Sequence, residues 1–520
     1  MAIVPRGTIN TTSLVVPDLY VQIVPPQNLM LNGVPTNVAG VVGTSAWGPV
    51  NQPVIIATMA DYARSFGAIM ARKHDMGTAV AIAIQQGAQN FRCVRVTDGT
   101  DVAAQALVPG TNASFTALYT GSLGNEITLT LSPGSRPGTW RLRVMLPGFQ
   151  PELFDNIEGA GSIFWHNLAE AVNAGQGVQR GPSQLVVASH GGATATPVEL
   201  SITLGTASVG TDGATGVASP RLIGVDVPPR SGMYALRGQG CGLCALVDCD
   251  DPTSWVVQAG FGLQEGIYMV MTTAAGGTIQ AAITSKHQAG LDSYSAKLMF
   301  GDWLWWSDQA NETVRLVSPQ GFVIGRLANL SPEQSSLNKP LYGVIGSQRS
   351  GTPGSGQSAS YSSSELTALL EAGIDVICNP QPGGRFWGVR GGHNSSSNAA
   401  VNGDNYTRLT NYVAATLASG MGLYVGQVIN ADLFRNIRST QLAFLQGMLG
   451  QGLLGSYDGS VPFTVICDRS NNPASRTGLG YVQSDVQIQY QAINEKFIVN
   501  VEGGQTVQVS RQTLPSGQAT

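Results

Sequence analysis

An alternation of strand-like and helix-like segments starts near Val38, breaks off near Thr100 and resumes at about Cys241, and this interrupted rhythm limits what the chain can fold into. Residues 38–44, 53–58 and 91–96 are short apolar runs of strand length. Between them, residues 61–67 and 78–86 read as helices, the first stopped by Gly67. After the break, strands at 245–249, 267–272 and 297–306 alternate with helices. One of these helices opens at Asp250-Asp251-Pro252-Thr253-Ser254, which combines capping side chains with an early proline. The other spans 278–287. Such βαβ units predict an α/β layer.

The break itself has a different texture. Residues 114–120, 126–132, 140–146, 185–189 and 198–204 alternate apolar and polar side chains between Gly- and Pro-rich turns, with one helix at 163–173. This predicts an antiparallel β domain inserted into the α/β one, leaving through a Gly/Ser/Thr-rich stretch at 205–219. A chain of 520 residues has room for roughly three or four domains. Its 43% hydrophobic content excludes general disorder. Charged residues are 12%, about half of the usual ~25%, and the net charge is −4. No basic stripe of a nucleic-acid binder is visible, and weak self-repulsion suits a chain that packs against copies of itself. No fixed-period repeat points to a solenoid or propeller.

The two ends carry strand patterns without an obvious partner. Residues 1–12 lack periodicity and read as a tail. Residues 14–24 end at Pro25-Pro26 and alternate from Leu19 through Tyr20, Val21 and Ile23. Pro17 lacks an N–H, which suits an edge or an arm. Near the other end, residues 497–501 form a strand pattern, Gly503-Gly504 breaks it, and Thr506, Val507, Gln508 and Val509 continue it. Before these come a helix at 365–372, a strand at 374–378, apolar helices at 406–417 and 431–454, and strands at 463–468 and 482–489.

Chemical motifs are sparse. Cys241-Gly242-Leu243-Cys244 is a CxxC with Cys249 behind it, but neither a second CxxC nor paired histidines accompany it, so structural thiols are expected. Six cysteines are too few for a disulfide scaffold, which fits a reducing cytoplasm. His74, His166, His190, His287 and His393 form no HExxH or HxH pair, and no GxSxG elbow surrounds a serine. The Gly-rich stretches at 238–242 and 351–356 miss the spacing of phosphate loops. Trp303-Leu304-Trp305-Trp306 has no interleaved basic residues and reads as core or subunit contact. The start shows no apolar signal region, and Gln258, Gln264 and Glu265 interrupt the most apolar window, so no membrane insertion is expected. Arg435 and Arg438, i,i+3 on the helix from Ala431, share a face. They form either a solvated face or a basic stripe toward an acidic partner.

Several segments, in order, resemble the contractile tail sheath proteins of myophages and R-type bacteriocins. Val16-Pro17-Asp18-Leu19-Tyr20-Val21 resembles their "PGVYV" start, Gly43-Thr44-Ser45-Ala46-Trp47-Gly48-Pro49 the turn that follows, and Phe66-Gly67 their "FG". Ala117-Leu118-Tyr119-Thr120-Gly121-Ser122-Leu123-Gly124-Asn125 resembles the entry to the sheath β domain. Ser318-Pro319, Gly325-Arg326-Leu327-Ala328-Asn329 and Pro340 resemble a central stretch, with Asn329-Leu330-Ser331 where an acidic residue is usual. Gly384-Arg385-Phe386-Trp387-Gly388-Val389-Arg390 resembles "G…vWGaRT", with Gly391 replacing the Thr. Asn430, Phe444-Leu445 through Gly452-Leu453-Leu454-Gly455, Val465-Ile466-Cys467-Asp468, Asn471-Asn472-Pro473 and Phe497-Ile498 match the last third.

The resemblance implies a mixed α/β and α+β multidomain fold: a subtilisin-like α/β domain without a triad, an inserted antiparallel β domain, and strand arms at both ends. The expected parts are an N-terminal arm at 1–26, an α/β core at 27–97 plus 229–380 and an outer β domain at 98–228. A tube-facing inner domain at 381–502 and a C-terminal arm at 503–520 complete the set. It further implies a non-enzymatic subunit without cofactor, assembled in a bacterial cytoplasm into a six-fold helical sheath of a virion tail. The partners would be copies of itself, a tail tube, a baseplate and a tail terminator, with Arg435 and Arg438 facing the tube. A serine-hydrolase-like enzyme and a static tube or shell protein are the alternative readings.

Overall fold

The structure, a computed structural model, describes residues 31–178, 180–357 and 360–503, with the backbone of two short strands, Ala2–Val4 and Tyr20–Gln22. Its centre is a seven-stranded sheet. In spatial order the strands are Ile374–Asp375, Ala296–Met299, Tyr268–Thr272, Leu243–Leu246, Ala39–Gly43, Phe91–Arg95 and Pro53–Ile56. All neighbours pair in parallel except the edge strand Pro53–Ile56, which runs antiparallel to Phe91–Arg95.

Alternation along the central strands explains why both faces are covered. Leu243, Ala245 and Val247 enter one apolar cluster, whereas Cys244 and Leu246 enter the other. Tyr268 and Val270 divide from Met269 and Met271 in the same way. Successive strand residues point to opposite faces, so a strand apolar on both needs helices on each side. Met76–Gln85 and Gln320–Asn329 cover one face. Trp255–Glu265, Ile279–Ala289 and Ser363–Glu371 cover the other. Gly321 and Gly325 make the first pair possible: a Cβ on Gly325 would meet the Ala83 Cα at 2.5 Å, and one on Gly321 would meet Ile82 at 3.2 Å. Buried Gln320 donates from Nε2 to the carbonyls of Leu246 (3.0 Å) and Val270 (2.9 Å), tying two adjacent strands together.

Two antiparallel sheets occupy the interruption. One orders Glu152–Ile157, Trp140–Met145, Thr128–Pro133 and Leu200–Thr203. The other orders Val186–Ser189, Ser114–Ala117 and Gln105–Leu107. Their apolar faces and the helix Gly161–Ala174 share a core that also takes in Trp47. Arg95 fastens this part to the central sheet. Its buried guanidinium donates from Nη1 to the carbonyls of Gly48 (2.7 Å) and Thr120 (2.6 Å), and from Nη2 to that of Asp212 (3.1 Å). Burial pulls its pKa down to about 10.

Beyond the central sheet, helices Asp404–Gly420 and Ala431–Gly450 pack with the antiparallel pair Phe463–Ile466 and Asp485–Ile488. Asn430 caps the second helix, accepting the Leu433 N–H at 2.8 Å, as an N-cap amide does. A buried ionic node joins this part to the sheet. Lys297 Nζ donates to Asp375 Oδ2 (2.7 Å), Asp404 Oδ1 (3.0 Å) and the His393 carbonyl (2.9 Å). Asp375 also accepts the N–H groups of Gly391 and Gly392, both at 2.8 Å. Asp404 accepts the Tyr268 hydroxyl at 2.6 Å and that of Ser336. Burial alone would lower the Lys297 pKa, but the two carboxylates outweigh it and hold it above the ordinary lysine value. Burial would raise that of Asp404, but Lys297, Ser336 and Tyr268 hold it below the ordinary carboxylate value.

Several sequence expectations change. The strand expected at 297–306 is two, Ala296–Met299 in the central sheet and Leu304–Asp308 in a three-stranded antiparallel sheet. The chain turns at Gly301, where a Cβ would lie 2.0 Å from the Ala274 carbonyl oxygen. The strand expected at 374–378 divides between the central sheet and a small hairpin, Ile377–Cys378 with Gly388–Val389. The helix expected to reach 454 stops at Gly450. Residues 497–501 form no strand within the described chain. The tail expected at 1–12 contains Ala2–Val4, which pairs in parallel with Tyr20–Gln22.

Arg95→Met strands three carbonyls and is expected to cost about 1–3 kcal/mol in urea unfolding. Lys297→Met leaves two buried carboxylates facing each other and is expected to cost about 3–5 kcal/mol by the same measurement. The node's contribution through Asp404 is complete above about pH 4 and is lost as pH falls through its lowered value. Through Lys297 it is complete below about pH 10 and is lost as pH rises through the raised value. Unfolding measured across pH should therefore show an acid limb that shrinks in Asp404→Asn.

Candidate assembly site

The residues that the sequence singles out lie on the helical part and at the two ends. Ala431–Gly450 buries Leu433, Ile437, Phe444, Leu445 and Met448 and turns Arg435 and Arg438 to solvent. Arg435 Nη2 pairs with Asp432 Oδ1 at 2.6 Å, so one of the two charges is partly answered on its own helix. Arg438 lies near Asp468, whose pKa is lowered first by Ser470 and more weakly by this arginine. The face is thus mixed in charge rather than a bare basic stripe.

At the N-terminal end, Tyr20 and Val21 sit in Tyr20–Gln22, opposite Ala2 and Ile3. A two-stranded ribbon still has two outer edges of unpaired backbone. Leu19 and Ile23 lie outside the described residues, as do Thr506, Val507, Gln508 and Val509. The described C-terminal segment ends in a run of exposed apolar side chains: Phe497 is 82% exposed, Ile498 80%, Val499 63% and Val501 87%. Exposed apolar residues without a sheet of their own present both a backbone edge and an apolar surface to a partner.

The central sheet does not arrange its Ser, His and Asp residues for nucleophilic chemistry where they meet. Ser318, His74 and Asp248 converge beyond the end of Leu243–Leu246. The Asp248 carboxylate accepts the backbone N–H of His74 (3.0 Å), not its imidazole, and His74 Nδ1 faces the Val247 carbonyl (2.7 Å). The Ser318 hydroxyl reaches Gln320 Oε1 at 3.4 Å. The hydroxyl also bonds the Asp248 carboxylate, but the His74 imidazole is turned to the Val247 carbonyl rather than to either group, and a triad needs an imidazole between them. The Cys241 and Cys244 thiols are buried against Gly40, and burial pushes that of Cys241 up to about 12. A thiol so raised carries little of the thiolate that redox or metal chemistry uses.

Sequence reasoning missed Lys297, Asp375 and Asp404. A charged residue inside an apolar strand run, as in Ala296-Lys297-Leu298-Met299 and Ile374-Asp375-Val376, was the available signal. It also missed His393 with Glu495, whose Nε2 and Oε1 lie 2.7 Å apart.

No family model and no curated protein matches the sequence. Solved structures do match. The sheath tail protein of Listeria innocua is 15% identical with a TM-score of 0.59, over 85% of this chain and 90% of that one. The sheath tail protein of Desulfitobacterium hafniense is 15% identical with a TM-score of 0.57, over 86% and 93%. The helical sheath of the anti-feeding prophage in its contracted state is 11% identical with a TM-score of 0.54, over 94% and 99%. Over most of its length, this chain has the mixed α/β multidomain fold of contractile sheath proteins.

Proposed function

We propose that this chain is the structural subunit of a contractile tail sheath. It polymerises helically around a tail tube and switches from an extended to a contracted lattice that drives the tube through a cell envelope. The observation that carries the reading is the exposed apolar run at 497–501, lodged on a fold shared with sheath proteins across nearly the whole chain. Added to a neighbour's sheet, that run and Thr506, Val507, Gln508 and Val509 would satisfy their backbone groups outside their own chain. Leu19, Tyr20, Val21 and Ile23 would do the same through an edge of the N-terminal ribbon. A donated strand is a head-to-tail contact, and such contacts build open helical filaments.

The parts then take distinct roles. Residues 1–26 and 503–520 are the arms, and 27–97 with 229–380 form the α/β core, subtilisin-like in layout. Residues 98–228 form an outer β domain, and 381–502 an inner domain facing the tube through Arg435 and Arg438. Mixed, solvent-screened charges at that face hold the extended state weakly and release it cheaply. The energy resides in the extended lattice, with no nucleotide consumed. Baseplate and terminator proteins would bound the polymer in a virion tail assembled in a host cytoplasm.

Negative-stain electron microscopy of the purified chain tests this. Hollow tubes with six-fold cross-sections are expected, and deletion of 505–520 is expected to abolish them. A chain that remains monomeric at high concentration, with and without a tail tube as template, contradicts the reading.

A further inference from the structure

Both ends of the body are rooted on one helix, Asp404–Gly420. The entering chain seats on its second half: Val34 N–H donates to Thr416 Oγ1 at 3.2 Å, Gly33 lies against Tyr412, and Leu31 against Gly420. The leaving chain seats on its first half. Asn405 Nδ2 donates to the Gln491 carbonyl at 3.1 Å, and Tyr490 shares a hydrogen bond with Thr410 at 3.2 Å. A helix of 17 residues rises about 25 Å. Asp404, in the ionic node, and Arg408, which donates to the carbonyls of Ser331 (2.8 Å) and Leu330 (2.7 Å), fix it to the core. It is therefore a strut that holds the two roots at a set distance.

Both roots pack against the apolar cluster between the helices, the N-terminal one through Leu31 and the C-terminal one through Tyr490. The last hold on the C-terminal one is the pair His393–Glu495 at 2.7 Å, with Glu495 more than a third exposed. Among the described residues, no hydrogen bond or ion pair is made beyond Glu495. His393 is anchored in the node by its own backbone, its N–H facing Asp375 (3.3 Å) and its carbonyl facing Lys297 (2.9 Å). The imidazole thus stands on a rigid base and grips the chain where the body ends. A partly exposed imidazole–carboxylate contact is weak and opens readily.

We infer that His393–Glu495 is a releasable latch that sets the direction in which the C-terminal arm leaves the body. When it opens, the chain beyond Gln491 swings while the N-terminal root stays seated. The consequence for a polymer rests on the sheath reading: the C-terminal link is the joint that yields when the lattice changes, and the N-terminal link moves with the body.

Trypsin reads the latch in the unassembled subunit, because exposed Lys496 directly follows Glu495. His393→Ala leaves the cleaved sequence intact. It is expected to speed the cut after Lys496 about two- to five-fold, with other sites unchanged. Glu495→Gln is compared with synthetic peptides carrying either residue, which removes the protease's own preference. It is expected to give a similar excess, and none when His393 is already Ala. If His393→Ala accelerates every site, the variant is misfolded and the peptide-corrected Glu495→Gln rate decides. An unchanged rate after Lys496 in a folded His393→Ala, or in corrected Glu495→Gln, overturns the latch. Faster cutting in a chain that never forms tubes keeps the latch and discards the sheath reading. Tubes from a chain whose cutting is indifferent to both changes do the reverse.

Discussion

Lys297 is wholly buried between two carboxylates that come from distant parts of the chain, Asp375 from the central sheet and Asp404 from the first turn of a helix outside it. Such a pair repays its desolvation only when every remaining lone pair and proton finds a partner. Here Tyr268, Ser336 and the amides of Gly391 and Gly392 supply them. Strict geometry follows, because a small displacement would strand a charge. The node therefore sets the position of Asp404–Gly420 on the core, and both chain ends depend on that helix. Arg95 plays the matching role for the inserted part, where the carbonyls of Thr120 and Asp212 lock it to the central sheet and that of Gly48 fixes the guanidinium from the core side.

A stiff body with an exposed C-terminal segment suits the proposed subunit, which would change its lattice without changing its fold. Rigid packing would transmit a reorientation, and continuous arms would keep neighbours linked while it happens. The exposed apolar run at 497–501, which forms no strand within its own chain, belongs to this account as the segment a neighbour's sheet would order.

The βαβ alternation was legible because the central strands are apolar on both faces and short, as at Leu243–Leu246 and Tyr268–Thr272. The inserted sheets were legible from the opposite pattern, alternate residues buried, as in Thr128–Pro133. The split of 297–306 was hidden because a turn at Gly301-Asp302 leaves the apolar pattern almost unbroken. The pairing of Ala2–Val4 with Tyr20–Gln22 was hidden because three residues are too few to show a period. The node was half legible: a lysine and an aspartate in apolar runs signal burial with partners. Local pattern could not say which partners, since the contacts span 78 and 107 residues. Helix spacing put Arg435 and Arg438 on one face, but the pairing of Arg435 with Asp432 depends on rotamers that spacing alone leaves open.

The central claim is that the C-terminal run becomes a strand only in a neighbour's sheet. Amide hydrogen exchange at residues 497–501, compared between unassembled subunit and polymer, measures this directly. The account predicts exchange at nearly free-chain rates in the subunit and strong protection in the polymer. Equal, rapid exchange in both states would contradict it, because a donated strand cannot leave its N–H groups open to solvent.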